Sequence, residues 1–140
     1  MDINLLIIDD DQVDIKLVDH VIRQSGANSV KTHSFIDASE AFCYILKHNS
    51  YNTLPDLILL DLDMPLVSGW GFLELFETIT KCLEKPVDVI ILTSVVHYEI
   101  KEKAAEYNCV KGVFSKPFNE CILTEILNSA FISANKPSKN

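Results

Sequence analysis

Short apolar runs alternate along the chain with longer segments whose apolar residues return at helical spacing. Leu5-Leu6-Ile7-Ile8 reads as a buried strand ending at Asp9-Asp10-Asp11. Leu17, Val18, Val21 and Ile22 then share one helix face, and Gly26 follows as a helix stop. A weaker strand covers about Ser29 to Phe35. Asp37, with Glu40 three residues on, resembles a capping box before Ala41, Phe42, Ile45 and Leu46. The polar stretch from His48 to Thr53, closed by Pro55, is a loop. Leu57-Ile58-Leu59-Leu60 forms the next strand, stopped by Met64-Pro65. Phe72, Leu73, Phe76, Ile79 and Leu83 mark a third helix, and Pro86 separates it from a strand over Val87 to Thr93. His97 to Tyr107 is the most polar helix candidate. A short strand, Val113-Phe114-Ser115, meets Lys116-Pro117, and Asn119 caps a last helix carrying Ile122, Leu123, Ile126, Leu127 and Ala130.

Five strands and five helices in strict alternation make one α/β domain over residues 1–133, with a flexible C-terminal tail at 134–140. Strands this short and apolar are buried on both faces, so the sheet is parallel and covered by helices on each side. In such sheets the ligand crevice lies beyond the carboxyl ends of the strands.

Composition narrows the partners. The 140 residues hold 12 Lys+Arg against 20 Asp+Glu, a formal charge of −8, which disfavours binding to nucleic acid or to an anionic membrane surface. The apolar runs are far shorter than the ~20 residues of a spanning helix, and no targeting segment is visible. Cys43, Cys82, Cys109 and Cys121 are scattered without metal-ligand spacing, so they read as buried or half-buried free thiols of a cytoplasmic protein.

Polar groups collect where the strands end. Asp9, Asp10 and Asp11 follow the first strand, Asp61 and Asp63 the third, Thr93-Ser94 the fourth and Lys116 the fifth. Carboxylates gathered at one rim repel one another unless a hard cation neutralises them, and an oxygen-only ligand set suits Mg²⁺. A hydroxyl and an ammonium aimed at the same place supply what a phosphoryl group needs. The constellation reads as a phosphoryl-transfer site with a carboxylate nucleophile.

Four pieces carry a family resemblance: Leu5-Leu6-Ile7-Ile8-Asp9-Asp10; Leu57 to Pro65 with Gly69; Val89-Ile90-Ile91-Leu92-Thr93-Ser94; and Ser115-Lys116-Pro117-Phe118. From about Ile3 to Phe131 the chain resembles the response-regulator receiver domains of two-component signalling. The resemblance implies a flavodoxin-like (βα)5 fold with sheet order 2-1-3-4-5. It implies that Asp61 accepts a phosphoryl group from the phosphohistidine of a sensor histidine kinase or phosphotransfer protein. Asp9, Asp10, Asp61 and Asp63 would hold Mg²⁺, Asp63 through its backbone carbonyl. Thr93 and Lys116 would contact the phosphoryl oxygens, Ser94 would keep the entrance small, and Lys116-Pro117 would be cis. The expectation is a stand-alone regulator, not a turnover enzyme, that signals through an unidentified downstream protein.

Two positions depart from the family pattern. Val113, three before Lys116, stands where an aromatic switch is usual, with Phe114 after it, so coupling of Thr93 to an aromatic rotamer is in question. Asp63 adds a carboxylate where the family varies, which bears on the lifetime of an acyl phosphate. Local readings also exist: Asp11 as a helix-dipole partner, Asp61 as a turn residue, Thr93-Ser94 as a helix cap, Lys116 as a surface lysine. Their coincidence at one rim outweighs them. The Phe72, Phe76 and Ile79 stripe reads as core, the Glu99 to Lys103 run as a solvated face, and Phe131 with Ile132 as a candidate dimer contact. Two rivals stand beside the receiver. Asp61-Leu62-Asp63 echoes haloacid-dehalogenase-type phosphatases, and a pseudo-receiver would keep the fold without phosphorylation. Setting aside Asp9, Asp10, Asp61, Asp63 and Lys116 leaves 16 acidic against 11 basic residues, a mildly acidic remainder of −5.

Overall fold

A computed structural model describes residues 2–64 and 68–128. The elements alternate as β1 (Ile3–Ile8), α1 (Gln12–Ser25), β2 (Val30–Phe35), α2 (Ala38–Lys47), β3 (Leu57–Asp61), α3 (Gly69–Ile79), β4 (Asp88–Thr93), α4 (Tyr98–Ala104), β5 (Val110–Ser115) and α5 (Glu120–Ile126). All strand pairings are parallel, and the sheet order is β2-β1-β3-β4-β5, as the family resemblance implies. The expected tail at 134–140, and the Ala130, Phe131 and Ile132 readings, lie outside the described residues.

Side chains alternate along each strand, so the sheet feeds two cores. Leu6, Ile8, Ile58, Leu60 and Ile91 face α2 and α3, where Ala41, Ile45, Phe72, Leu73 and Phe76 are buried. Leu5, Ile7, Leu57, Leu59, Ile90 and Leu92 face α1 and α5, where Ile15, Val18, Ile22, Ile122, Leu123 and Ile126 are buried. The Phe72 and Phe76 stripe is core, and the two rings stack at 5.6 Å.

Local signals set the ends. Asp11 caps α1 by accepting from the Val13 N–H, Asp37 caps α2 from Ser39, and Asn119 caps α5 from Ile122. Gly26 ends α1 at φ 79°, the left-handed region.

The structure also corrects several boundaries. The third helix starts at Gly69 behind a Ser68 cap, and its last turn tightens to 3₁₀ over Thr80–Cys82. The polar helix contracts to Tyr98–Ala104, with His97 rather than Thr93-Ser94 at the cap position and no side-chain capping hydrogen bond. β5 starts three residues earlier than expected. A register break between Val89 and Ile90 leaves Lys111 as an extra residue between Val110 and Gly112, which hides the strand's alternation. All four cysteines are free, but only Cys109 is buried; Cys43, Cys82 and Cys121 are exposed, on helix or 3₁₀ surfaces. The run from Glu99 to Lys103 is exposed apart from Ile100, yet Lys103 Nζ also sits 4.6 Å from the Trp70 ring centroid. Among the described residues, no helix is long and apolar enough to cross a membrane.

Candidate functional site

The strand register delivers the acidic groups to one rim. Ile8 pairs with Leu60, so Asp9 and Asp61 leave adjacent strands at the same level. Asp61 pairs with Leu92, which puts Thr93 one step further along β4, and Thr93 pairs with Ser115, just before Lys116. The Lys116 N–H donates to the Thr93 carbonyl at 2.9 Å, and the Lys116-Pro117 peptide is cis.

The site is anchored from below and open above. Asp9, Asp61 and Thr93 are buried, at 4%, 3% and 1% exposure, whereas Asp10, Asp63 and Ser94 are exposed. Asp9, Asp14, Asp61 and Lys116 line one small hollow with the apolar Ile7, Leu59, Leu92 and Phe118. That lining lowers the local dielectric and strengthens every charge interaction above it.

Lys116 is the hub. Its Nζ donates to Asp14 Oδ2 at 2.7 Å and to Asp9 Oδ2 at 3.0 Å, and stands 3.4 Å from Asp61 Oδ1. Burial by itself would lower the Lys116 pKa, but the Asp14 and Asp9 hydrogen bonds outweigh it and push the ammonium above its ordinary range. The Asp9 pKa also rises, which for a carboxylate favours the neutral form. Burial raises its pKa from 3.8 to about 6, against hydrogen bonds from the Asp11 N–H and Lys116. Asp61 Oδ1 also accepts from the Asp63 N–H at 3.2 Å. Thr93 Oγ1 donates to Asp63 Oδ2 at 3.4 Å, a long bond.

Asp9, Asp10 and Asp61 each offer a carboxylate oxygen, and those oxygens lie within 4.8 Å of one another. Three hard oxygen donors at that spacing fit a small divalent cation that keeps several waters. Beyond burial, the main cause of the raised Asp9 pKa, the nearby Asp61 charge adds a smaller upward push. Thus Asp9, Asp10, Asp61, Thr93 and Lys116 come together as the sequence suggests. The Asp63 side chain lies outside the metal-capable trio and engages Thr93 instead.

Asp14 escapes a sequence reading. It lies in the first turn of α1, where a carboxylate is unremarkable beside the helix dipole. The only signal is an acid one turn beyond Asp10. Val113 packs with the α2–α3 core and Phe114 with the α1–α5 core. The aromatic therefore faces the opposite side of the sheet from the usual switch position.

The comparisons agree with this geometry. The family model for the response regulator receiver domain matches residues 5–128. A two-component response regulator from Cytophaga hutchinsonii superposes with a TM-score of 0.83 at 24% identity, covering 94% of this chain and 98% of that one. The chemotaxis protein CheY4 of Vibrio cholerae gives 0.74 at 22% identity, covering 93% and 99%. The phosphorylated cyanobacterial phytochrome response regulator RcpA gives 0.72 at 20% identity, covering 99% and 98%. With Lys116 held among acids at the strand ends and nearly the whole chain matched, this protein belongs to the response regulator receiver domain family.

Proposed function

We propose that Asp61 is a phosphoacceptor, taking a phosphoryl group from a phosphohistidine of a sensor histidine kinase or phosphotransfer protein. The observation that carries this reading is a buried Asp61 within 3.4 Å of Lys116 Nζ and inside a metal-capable acidic trio. Oδ1 of Asp61 is engaged by the Asp63 N–H and Lys116. Oδ2 takes no hydrogen bond from the described residues and is the attacking oxygen. It forms a bond to phosphorus as the P–N bond of the donor breaks. The electron pair stays on the imidazole nitrogen, which takes a proton from solvent, and the product is an aspartyl acyl phosphate.

A Mg²⁺ ion held by Asp9, Asp10, Asp61 and the Asp63 backbone carbonyl would neutralise charge on the carboxylates and phosphoryl oxygens. Lys116 donates to a phosphoryl oxygen, and the Thr93 hydroxyl to another. Phosphorylation biases a two-state equilibrium, read by a downstream protein on the α4–β5–α5 face. The protein phosphorylates and dephosphorylates itself and is not a turnover catalyst. A cytoplasmic location is consistent with four unpaired cysteines.

Incubation with a radiolabelled phosphohistidine donor tests the reading. Label should pass to the native chain with Mg²⁺, and not to Asp61→Asn or in the presence of a chelator. Label on Asp61→Asn would overturn the assignment. Failure of the native chain to take label from any donor would favour a phosphorylation-independent module. Steady release of phosphate from a simple monoester would favour a phosphatase.

A further inference from the structure

We propose that Asp14 is a positioning residue that holds the Lys116 ammonium in the unphosphorylated protein and competes with the phosphoryl group for it. The inference rests on the reading of Asp61 as phosphoacceptor. An ammonium has three N–H donors, and here three carboxylates surround it: Asp14 at 2.7 Å, Asp9 at 3.0 Å and Asp61 at 3.4 Å. The shortest contact is with the one carboxylate that is neither the nucleophile nor a member of the metal-capable trio.

The placement follows from the fold. α1 and α5 cover the same sheet face, so the first turn of α1 overlooks the end of β5, where Lys116 emerges. Asp11 already caps α1, so Asp14 is not needed to close the helix. Its side chain is 31% exposed and that of Lys116 18%, so the pair is partly shielded from water. Among the described residues, Lys116 is the one hydrogen-bond partner of the Asp14 carboxylate.

A phosphoryl oxygen reaching Lys116 must take over one of the three donors. Asp9 and Asp61 remain beside the phosphoryl group because they build its site, and Asp14 is the partner that can be released. Its attraction to Lys116 therefore stabilises the unphosphorylated state more than the phosphorylated one. Only such a difference shifts the equilibrium. A charge-assisted hydrogen bond of this kind is worth enough to move affinity about tenfold when lost.

Calorimetric titration with beryllofluoride in saturating Mg²⁺, a mimic of the acyl phosphate, tests this. Mg²⁺ alone is titrated in parallel. Beryllofluoride binding by the native chain and its loss in Asp61→Asn establish the underlying reading; absence of native binding would sink that reading first. Given native binding, Asp14→Asn should bind beryllofluoride about tenfold more tightly, with Mg²⁺ affinity changed less than about threefold. Asp14→Glu, which keeps the carboxylate, should stay near native. Unchanged or weaker beryllofluoride binding by Asp14→Asn would overturn the proposal. So would an equal rise in Mg²⁺ affinity, or a rise in Asp14→Glu equal to that of Asp14→Asn.

Discussion

The hydroxyl of Thr93 donates to the carboxylate of Asp63, Oγ1 to Oδ2 3.4 Å. The residue expected to reach the phosphoryl oxygens is thus tied to the acid two positions after Asp61. On the proposed function, a phosphoryl group on Asp61 would draw Thr93 away from Asp63 and leave an exposed carboxylate beside the acyl phosphate. That charge repels an incoming hydroxide-like water. At an exposed site, one such charge within several ångströms is worth about 1 kcal/mol. Asp63→Asn should therefore shorten the acyl-phosphate lifetime by roughly fivefold, read by the decay of the phosphorylated species; identical lifetimes would remove Asp63 from the account.

Gly69 lets α3 approach the loop that follows Asp61. A Cβ there would stand 2.6 Å from Leu62 Cα and 2.7 Å from the Asp61 carbonyl oxygen, both backbone atoms that cannot swing aside. Gly69→Ala should cost roughly 1–3 kcal/mol of stability in urea unfolding. It should also slow phosphoryl uptake by about tenfold or more, because misplacing a reacting group by about 1 Å is enough for that. Native uptake in this variant would show that the loop can shift without moving Asp61.

Asp9 gives the site a pH signature. Its folded pKa is about 6 against an ordinary 3.8, because burial disfavours its charge. The folded state then holds this proton more tightly than the unfolded chain does. The associated stability is fully present below about pH 4 and lost as pH rises through about 6, on the order of 3 kcal/mol. In a chelator, Asp9→Asn should flatten this part of the stability–pH curve. In the native chain, the stabilisation conferred by Mg²⁺ should shrink below pH 6, where proton and cation compete for the same oxygens. An unchanged slope in Asp9→Asn would assign the titration elsewhere.

At the opposite end of the sheet, Lys85 pairs with Asp56 at 2.6 Å, with side chains 9% and 4% exposed. Asp56 Oδ2 also accepts from the Asn4 N–H at 2.8 Å, tying β1 to β3. Removing the ammonium strands a buried charge, so Lys85→Met should lose about 3 kcal/mol by urea unfolding. Phosphoryl uptake under native conditions should be unaffected. A loss of uptake in a folded variant would mean the two ends of the sheet are coupled.

The parts legible in the sequence share a physical cause. Each strand of the sheet's middle carries a run of four apolar residues, and the residue that follows the run is charged or hydroxylated, so Asp9, Asp61 and Thr93 announce themselves. The strand order came from family resemblance, since apolar runs carry no pairing information. Lys111 and Gly112 at the register break interrupt the apolar pattern of β5 and hide its first half. The Ser68 cap and Gly69 start of α3 precede the apolar stripe that marked the helix. Asp14 stays hidden in the sequence because its partner is 102 residues away, and a helix-start acid needs no long-range partner to be explained. The sheet faces of Val113 and Phe114 follow from packing alone, because the register break hides which way each side chain points.

Intact-mass analysis after incubation with acetyl phosphate and Mg²⁺ reads whether Asp61 carries the phosphoryl group. The native chain should gain the mass of one phosphoryl group, lose it again on standing, and gain nothing when Mg²⁺ is chelated. Asp61→Asn should stay at its unmodified mass throughout. A phosphoryl adduct on Asp61→Asn equal to that on the native chain would place the phosphoryl group on another residue.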